Sequence, residues 1–89
     1  MTDIHAVAVL GGGLMGSGIA QVCAVAGFDT IIREPAEAVC QRVRAGVERA
    51  TARAVERGRL TPEVRDAALA RLRCTTELDA LAGSDLVIE

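Results

Sequence analysis

The chain has 89 residues, a net charge of −2 and one aromatic residue, which predicts one small domain with an aliphatic core. All ten basic residues are arginine, and the absence of lysine excludes a phosphate loop of the Walker type. The absence of tyrosine excludes short-chain dehydrogenase chemistry based on a Tyr–Lys pair, and the interspersed charges argue against nucleic acid or an anionic membrane as partner.

The amino terminus and the cysteines bear on the cellular compartment. Residues 1–5 carry an acid and no base, and glycines interrupt the apolar segment that follows, so neither a signal peptide nor a membrane span fits. Cys23, Cys40 and Cys74 are far apart and form no Cys-x-x-Cys pair, which predicts free thiols in a reducing compartment. We therefore expect a cytoplasmic protein. No metal site is predicted, and His5 is expected to be a surface residue.

The first half of the chain predicts a strand, a helix and a second strand. Residues 4–10 are apolar on both faces, as in a central parallel strand. Residues 14–26 repeat apolar positions every three or four residues, and Gly27 marks the end of this helix. Residues 28–33 are rich in β-branched side chains and form the second strand, with Glu34 at its carboxyl end.

The second half predicts a long helical hairpin and a last strand. Thr61 and Pro62 have the residue types that cap and begin the second hairpin helix. The predicted segments are, in order, a helix over 36–57, a helix from 62 to about 73, an extended piece near 74–76, a helical turn near 78–81 and a strand over 86–88.

This order of elements predicts an α/β fold of the Rossmann type, the first half of a doubly wound parallel sheet with a long helical hairpin after strand two. We expect the last strand to pair with strand one on the side away from strand two. That arrangement places a topological switch point at the glycine-rich turn.

The turn after strand one carries the spacing Gly11-x-Gly13-x-x-Gly16 of the dinucleotide fingerprint. Its glycines allow the turn itself, close approach of a pyrophosphate and tight packing of helix on strand. Backbone N–H groups and the helix dipole can bind a diphosphate without a cationic side chain. Glu34 lies at the expected offset, where its carboxylate can accept from a ribose 2′-hydroxyl and would repel a 2′-phosphate. NAD is therefore favoured over NADP.

Three alternatives stay open on these residues. Ala20 and Gly27 also suit FAD-binding domains, which often carry a glutamate at the position of Glu34, although the long hairpin is unlike their usual continuation. Arg33 could accommodate a 2′-phosphate, but strand alternation should point it away from Glu34. A free-standing dinucleotide-binding module without catalysis would need the same residues.

Short segments spread over the whole chain carry a family resemblance. They are Val9 to Val22, Ala26 to Asp29, Arg33 and Glu34, Arg57 to Thr61, Thr75 to Leu78, and Asp85 to Glu89. On these residues the chain resembles the N-terminal NAD-binding domain of the 3-hydroxyacyl-CoA dehydrogenases, and the bacterial 3-hydroxybutyryl-CoA dehydrogenases above all. The cofactor-binding residues that this implies are Gly11, Gly12, Gly13, Leu14, Met15, Gly16 and Glu34.

The resemblance also implies a substrate and a reaction. The hairpin would contact the coenzyme A part of an acyl-CoA, with Arg57 as a basic contact, although a charge favoured by the helix dipole is the alternative for this residue. The complete enzyme would transfer hydride between NAD and the 3-hydroxyl carbon. The family's catalytic His–Glu pair and dimerising helical domain lie beyond residue 89. We therefore expect residues 1–89 to be an N-terminal portion, inactive alone and without a catalytic residue.

Overall fold

The computed structural model describes residues 4–11 and 13–89 of the chain, and of Leu14 and Met15 only the backbone. The elements are, in order, β1 (Ala6–Leu10), α1 (Gly13–Ala26), β2 (Asp29–Arg33), α2 (Glu37–Glu56), α3 (Pro62–Arg71), β3 (Leu72–Thr75), a 3₁₀ turn (Leu78–Leu81) and β4 (Leu86–Ile88). No helix within these residues has both the length and the apolar character needed to span a membrane.

The four strands form one parallel sheet in the order β3-β2-β1-β4. Val7 of β1 lies opposite Thr30 of β2 on one side and Leu86 of β4 on the other. The predicted parallel α/β sheet, and the position of the last strand beside β1, are confirmed. Because parallel strands end at one edge of a sheet, the carboxyl ends of β1, β2 and β4 lie together.

The strand β3 was not among the predicted strands of the sheet. Residues 72–75 pair with β2 from Thr30 to Arg33, whereas we expected only a short extended connection near 74–76. β3 has four residues, and Leu72 is its one fully buried side chain, so it lacks the apolar run that indicates a buried strand. Its pairing with β2 is what makes it a strand.

The helices cover one face of the sheet. The connections from β1 to β2 and from β2 to β3 each move one strand in the same direction, so right-handed crossovers place α1, α2 and α3 on the same face. In agreement, α1 contacts both α2 and α3. The return from β3 to β4 crosses the sheet, and its 3₁₀ turn contacts β2.

The core is aliphatic, as the composition predicts. Val9 and Ile32 from the sheet are almost completely buried against small side chains of α1 such as Ala20 and Ala24. Val47, Ala68 and Leu72 complete this cluster from the hairpin and β3. Alanines on α1 let the helix approach the sheet closely. This close packing positions the N-terminus of α1 next to the end of β1.

Polar contacts hold the hairpin together. Thr61 Oγ1 accepts from Val64 N at 3.1 Å, so the predicted cap of α3 is present. Arg65 of α3 donates from Nε to Thr51 Oγ1 at 3.1 Å and from Nη2 to the carbonyl oxygen of Glu48 at 3.0 Å. Because Thr51 is fully buried in α2, these bonds join the two helices across their interface.

The expectation of free thiols is wrong for two of the three cysteines. Cys40 in the first turn of α2 and Cys74 in β3 form a disulfide, with α carbons 5.4 Å apart and a separation of 34 positions in sequence. The packing of α2 on β3 brings them together, a contact that could not be expected without β3 as a strand. Cys23 on α1 is free and half-buried.

Candidate cofactor site

The turn between β1 and α1 lies at the carboxyl edge of the sheet. Gly11 and Gly13 have φ angles of +81° and +45°, in the region that favours glycine. Gly11 N donates to the carbonyl oxygen of Arg33 at 2.9 Å, which extends the ladder between β1 and β2 into the turn. The end of β2 therefore anchors the start of the turn. Gly12, one of the predicted cofactor-binding residues, lies outside the described residues.

Gly16 allows α1 to pack directly on the end of β1. A Cβ atom at this position would overlap the carbonyl oxygen of Gly11 and would lie 3.5 Å from Val9 Cγ1. This steric demand is the helix-on-strand packing for which the fingerprint requires its third glycine.

Glu34 joins three elements of the site. Its side chain is only 5% exposed, and Oε2 accepts from Gly13 N at 3.2 Å. Its backbone N donates to the carbonyl oxygen of Thr75 at the end of β3, at 2.9 Å. The structure thus brings Glu34 and the glycine turn together and holds the carboxylate at the N-terminus of α1, where the helix dipole stabilises negative charge.

Two cavities flank the turn. One, of about 270 Å³, lies between the ends of β1 and β4 and is lined by Val9, Leu10, Gly11, Gly16, Ile19, Ile88 and Glu89. The other, of about 240 Å³, lies between α1 and α2 and is lined by Gly13, Ser17, Val39, Arg42, Val43 and Gly46. The first is the crevice at the switch point, which is where open α/β sheets bind ligands.

Ser17 and Arg42 line the second cavity but are not among the predicted site residues. Ser17 follows Gly13 by four residues on α1, so helical spacing was a signal for its position on the same face. Arg42 reaches this cavity because α2 packs beside α1, and that packing has no local sequence signal.

Arg33 and Glu34 contact different segments. The Arg33 Nε atom donates to the carbonyl oxygen of Thr76 at 3.3 Å, beyond the end of β3, whereas the Glu34 carboxylate contacts Gly13. The Arg33 guanidinium is therefore hydrogen-bonded to the segment after β3. Of these two charged side chains, it is Glu34 that contacts the glycine turn.

Arg57 lies far from the glycine turn along the hairpin. It is the exposed residue that follows the last turn of α2, a helix of 20 residues that spans about 30 Å. The structure does not bring Arg57 into the turn, so any role in binding substrate belongs to a separate surface.

His5 lies at the opposite edge of the sheet from the turn, before β1 begins. Its backbone N and that of Ala6 donate to Asp85 Oδ2 at 2.8 and 2.9 Å. These bonds, with a smaller effect of the His5 charge, lower the pKa of Asp85 below its ordinary value. In residues 4–11 and 13–89, no cluster of His, Cys, Asp and Glu could hold a metal ion.

Backbone N–H groups at a helix N-terminus, beside a buried carboxylate from the neighbouring strand, define the class: a Rossmann dinucleotide-binding domain. The family model described as 3-hydroxyacyl-CoA dehydrogenase, NAD binding domain, matches residues 6–89. The chain belongs to this family, and NAD rather than FAD is the cofactor of the matched domain.

Individual relatives agree with this assignment. The chain is 46% identical over its whole length to a 3-hydroxybutyryl-CoA dehydrogenase of Mycobacterium tuberculosis, and 38% identical to a 3-hydroxyadipyl-CoA dehydrogenase of Escherichia coli. It spans 32% and 19% of the lengths of these two proteins.

Solved structures share the fold. The crystal structure of FadB2 of M. tuberculosis aligns with 97% of this chain at a TM-score of 0.93 and 43% identity, over 30% of its own length. The (S)-3-hydroxybutyryl-CoA dehydrogenase PaaH1 of Ralstonia eutropha aligns with 96% of the chain at a TM-score of 0.91 and 35% identity, also over 30% of its length.

Proposed function

We propose that the chain is the NAD-binding portion of a 3-hydroxyacyl-CoA dehydrogenase that acts on 3-hydroxybutyryl-CoA. The observation that carries the proposal is the hydrogen bond between the Glu34 carboxylate and Gly13 N, at 3.2 Å. In support of the proposal, this bond joins a carboxylate that would accept from a ribose to an N–H group that would bind a pyrophosphate. The names of the relatives support the substrate.

The proposed cofactor site uses backbone and carboxylate rather than cationic side chains. The pyrophosphate would bind at the sequence segment Gly11, Gly12, Gly13, Leu14, Met15 and Gly16, at the positive end of α1. Glu34 would turn from Gly13 N to accept from the ribose hydroxyls of the adenosine half. Bound NAD supplies hydride acceptance, and the chain supplies its position.

We assign the two halves of the dinucleotide to the two cavities beside the turn. The cavity between α1 and α2 lies on the side of Gly13, whose N–H contacts Glu34, so we assign the adenosine half to it. The crevice between β1 and β4 would then receive the nicotinamide half. A 2′-phosphate on the ribose would meet the Glu34 carboxylate, and this repulsion makes NAD the preferred cofactor over NADP.

The proposal extends to the rest of the enzyme. Arg57 would contact the coenzyme A part of the acyl-CoA, since it is an exposed cation at the tip of the hairpin. Catalytic groups and a dimer interface would come from residues outside 1–89. We propose the cytoplasm as the compartment, although the Cys40–Cys74 disulfide removes the argument from free thiols. The sole histidine, His5, lies at the edge away from the turn and could not act on a substrate there.

The cofactor assignment is tested by titrating the chain with NADH and NADPH in a calorimeter. Glu34→Gln should weaken NADH binding about tenfold, because a hydrogen bond to a charged group contributes roughly 1.5–3 kcal/mol. It should also reduce the preference over NADPH. Glu37→Gln, a neighbouring exposed carboxylate on α2, is the matched control and should bind NADH like the unchanged chain.

Two outcomes would contradict the proposal. Equal NADH affinity of the Glu34→Gln and Glu37→Gln variants would remove Glu34 from the site. Reduction of acetoacetyl-CoA by the 89-residue chain would show that it holds catalytic groups of its own.

A further inference from the structure

The disulfide lies beside the residue that the proposed function assigns to the ribose. Cys74 lies opposite Ile32 in the sheet, and Ile32 is two residues before Glu34. Thr75, the residue after Cys74, accepts a hydrogen bond from Glu34 N. Cys40 is in the first turn of α2, which begins at Glu37, three residues after Glu34. The bond therefore links the two segments that enclose Glu34 on either side.

The two sulfur atoms lie at a cavity with basic side chains. Cys40 is 3% exposed and Cys74 is half-buried. The cavity measures about 210 Å³ and is lined by Glu37, Cys40, Gln41, Arg44, Arg73 and Cys74. Arg44 and Arg73 bring two positive charges to this cavity against the one negative charge of Glu37, although Arg44 also pairs with Glu48. The excess positive charge favours approach of a small anionic thiol or disulfide. Cys74 is the more exposed of the two residues.

We propose that Cys40 and Cys74 form a thiol–disulfide switch that sets the position of Glu34 and thereby the affinity for the dinucleotide. The claim that the switch changes dinucleotide affinity rests on the proposed function. In the oxidised form, α2 and β3 are tied together and Glu34 is held between them. In the reduced form, the first turn of α2 is released from β3, and the carboxylate loses part of its fixed position against Gly13.

The reaction partner is a low-molecular-mass disulfide, for which glutathione disulfide is the probe. The Cys74 thiolate attacks one of its sulfurs, which forms a mixed disulfide and releases one glutathione thiolate. The Cys40 thiolate then attacks the Cys74 sulfur, which closes the protein disulfide and releases the second. The protein loses two electrons, and the two thiol protons pass to the two glutathiones released. Excess glutathione reverses the sequence.

The switch is tested on the 89-residue chain equilibrated with glutathione and glutathione disulfide at graded ratios. Alkylation and peptide mass measure the state of each cysteine, amide hydrogen exchange measures the Glu34 N–H, and calorimetry measures NADH affinity. Reduction should expose Cys40 and Cys74 to alkylation, accelerate exchange at Glu34 more than at the buried Val9 of β1, and weaken NADH binding by about fivefold or more, a typical size for coupling between sites.

Cysteine variants separate this switch from general effects of reductant. Cys40→Ser and Cys74→Ser should bind NADH like the reduced chain at every glutathione ratio. Cys23→Ser, which changes the free cysteine of α1, should respond like the unchanged chain.

Three results would overturn the proposal: alkylation of both cysteines at every ratio, equal Glu34 exchange in the two forms, or equal NADH affinity of the two forms. If neither form binds NADH, the proposed function fails. The exchange rate at Glu34 then still decides whether the disulfide fixes this residue.

Discussion

Glu34 is a nearly buried carboxylate whose charge is compensated locally. A buried charge is costly unless it is paired or hydrogen-bonded, and here Gly13 N donates to it at the positive end of α1. The same N–H belongs to the turn that would bind a pyrophosphate. In the proposed site, NAD binding would exchange these partners: a phosphate oxygen would accept from the N–H, and the carboxylate would accept from ribose hydroxyls.

At Gly16, substitution by alanine should have two opposite effects on stability. The added methyl group is costly in packing and favourable in helix propensity. In Gly16→Ala the added Cβ overlaps the carbonyl oxygen of Gly11, a backbone atom that cannot swing aside. Overpacking costs about 1–3 kcal/mol, and we expect the upper part of this range to exceed the roughly 1 kcal/mol gained in helix propensity. Urea unfolding should show a less stable chain, and calorimetry should show weaker NADH binding.

Gly18→Ala is the control for this prediction. Gly18 lies in the same helix, but a Cβ there has no atom within 4 Å. The control should therefore be stabilised by about 0.5–1 kcal/mol. If both variants are stabilised alike, α1 does not pack on β1 as closely as the structure shows.

At the scale of elements, the short strand β4 depends on its first contact with β1. β4 has three residues, and Leu86 and Val87 are exposed. Asp85 N donates to the carbonyl oxygen of Ala6 at 2.8 Å, and its carboxylate accepts from the backbone N of His5 and Ala6. Asp85 thus sets the register in which β4 enters the sheet, and with it one wall of the crevice beside the turn.

The Asp85 contact predicts a loss of stability in acid. Because folding lowers the pKa of Asp85, its stabilising effect is complete above the unfolded pKa of about 3.9 and is lost as pH falls through the folded pKa. Asp85→Asn should flatten the free energy of unfolding against pH below about pH 4, measured by urea titration. Asp66→Asn, an exposed site on α3, should keep the slope of the unchanged chain, and equal slopes in both variants would contradict this role.

At the scale of the whole molecule, a chain of 89 residues buries a limited core, and the disulfide compensates for this. It encloses α3 and all of α2 after its first turn within a loop whose ends are 34 residues apart. Closing a loop of this length restricts the unfolded chain by about 3–4 kcal/mol in the chain-entropy model. For a small domain this is a large part of the total stability.

Reduction of the disulfide should therefore lower the free energy of unfolding by about 3–4 kcal/mol. The measurement is urea unfolding of the chain with and without dithiothreitol, and the Cys40→Ser/Cys74→Ser double variant should match the reduced chain in both conditions. Cys23→Ser should retain the full effect of reduction. Coincident unfolding curves with and without reductant would show that the bond does not constrain the unfolded chain.

Most elements of the fold could be predicted because their signals are local. Helical periodicity, the Thr61–Pro62 start of α3 and the apolar run of β1 each lie within a short segment, and the parallel order follows from right-handed crossovers. β3 could not be predicted, because its four residues carry no pattern of their own. Because β3 was not predicted, the disulfide between Cys40 and Cys74 could not be predicted either.

For the candidate site, the amino-acid sequence alone determined the glycine turn, the carboxylate at the end of β2 and the family, because turn chemistry and spacing reside in adjacent residues. Only the tertiary structure decided that the Glu34 carboxylate contacts Gly13 N, that β3 holds Glu34 from the other side, and that a disulfide ties this region to α2. Each of these contacts joins residues distant in sequence, and each requires strand register and helix packing to be in place first.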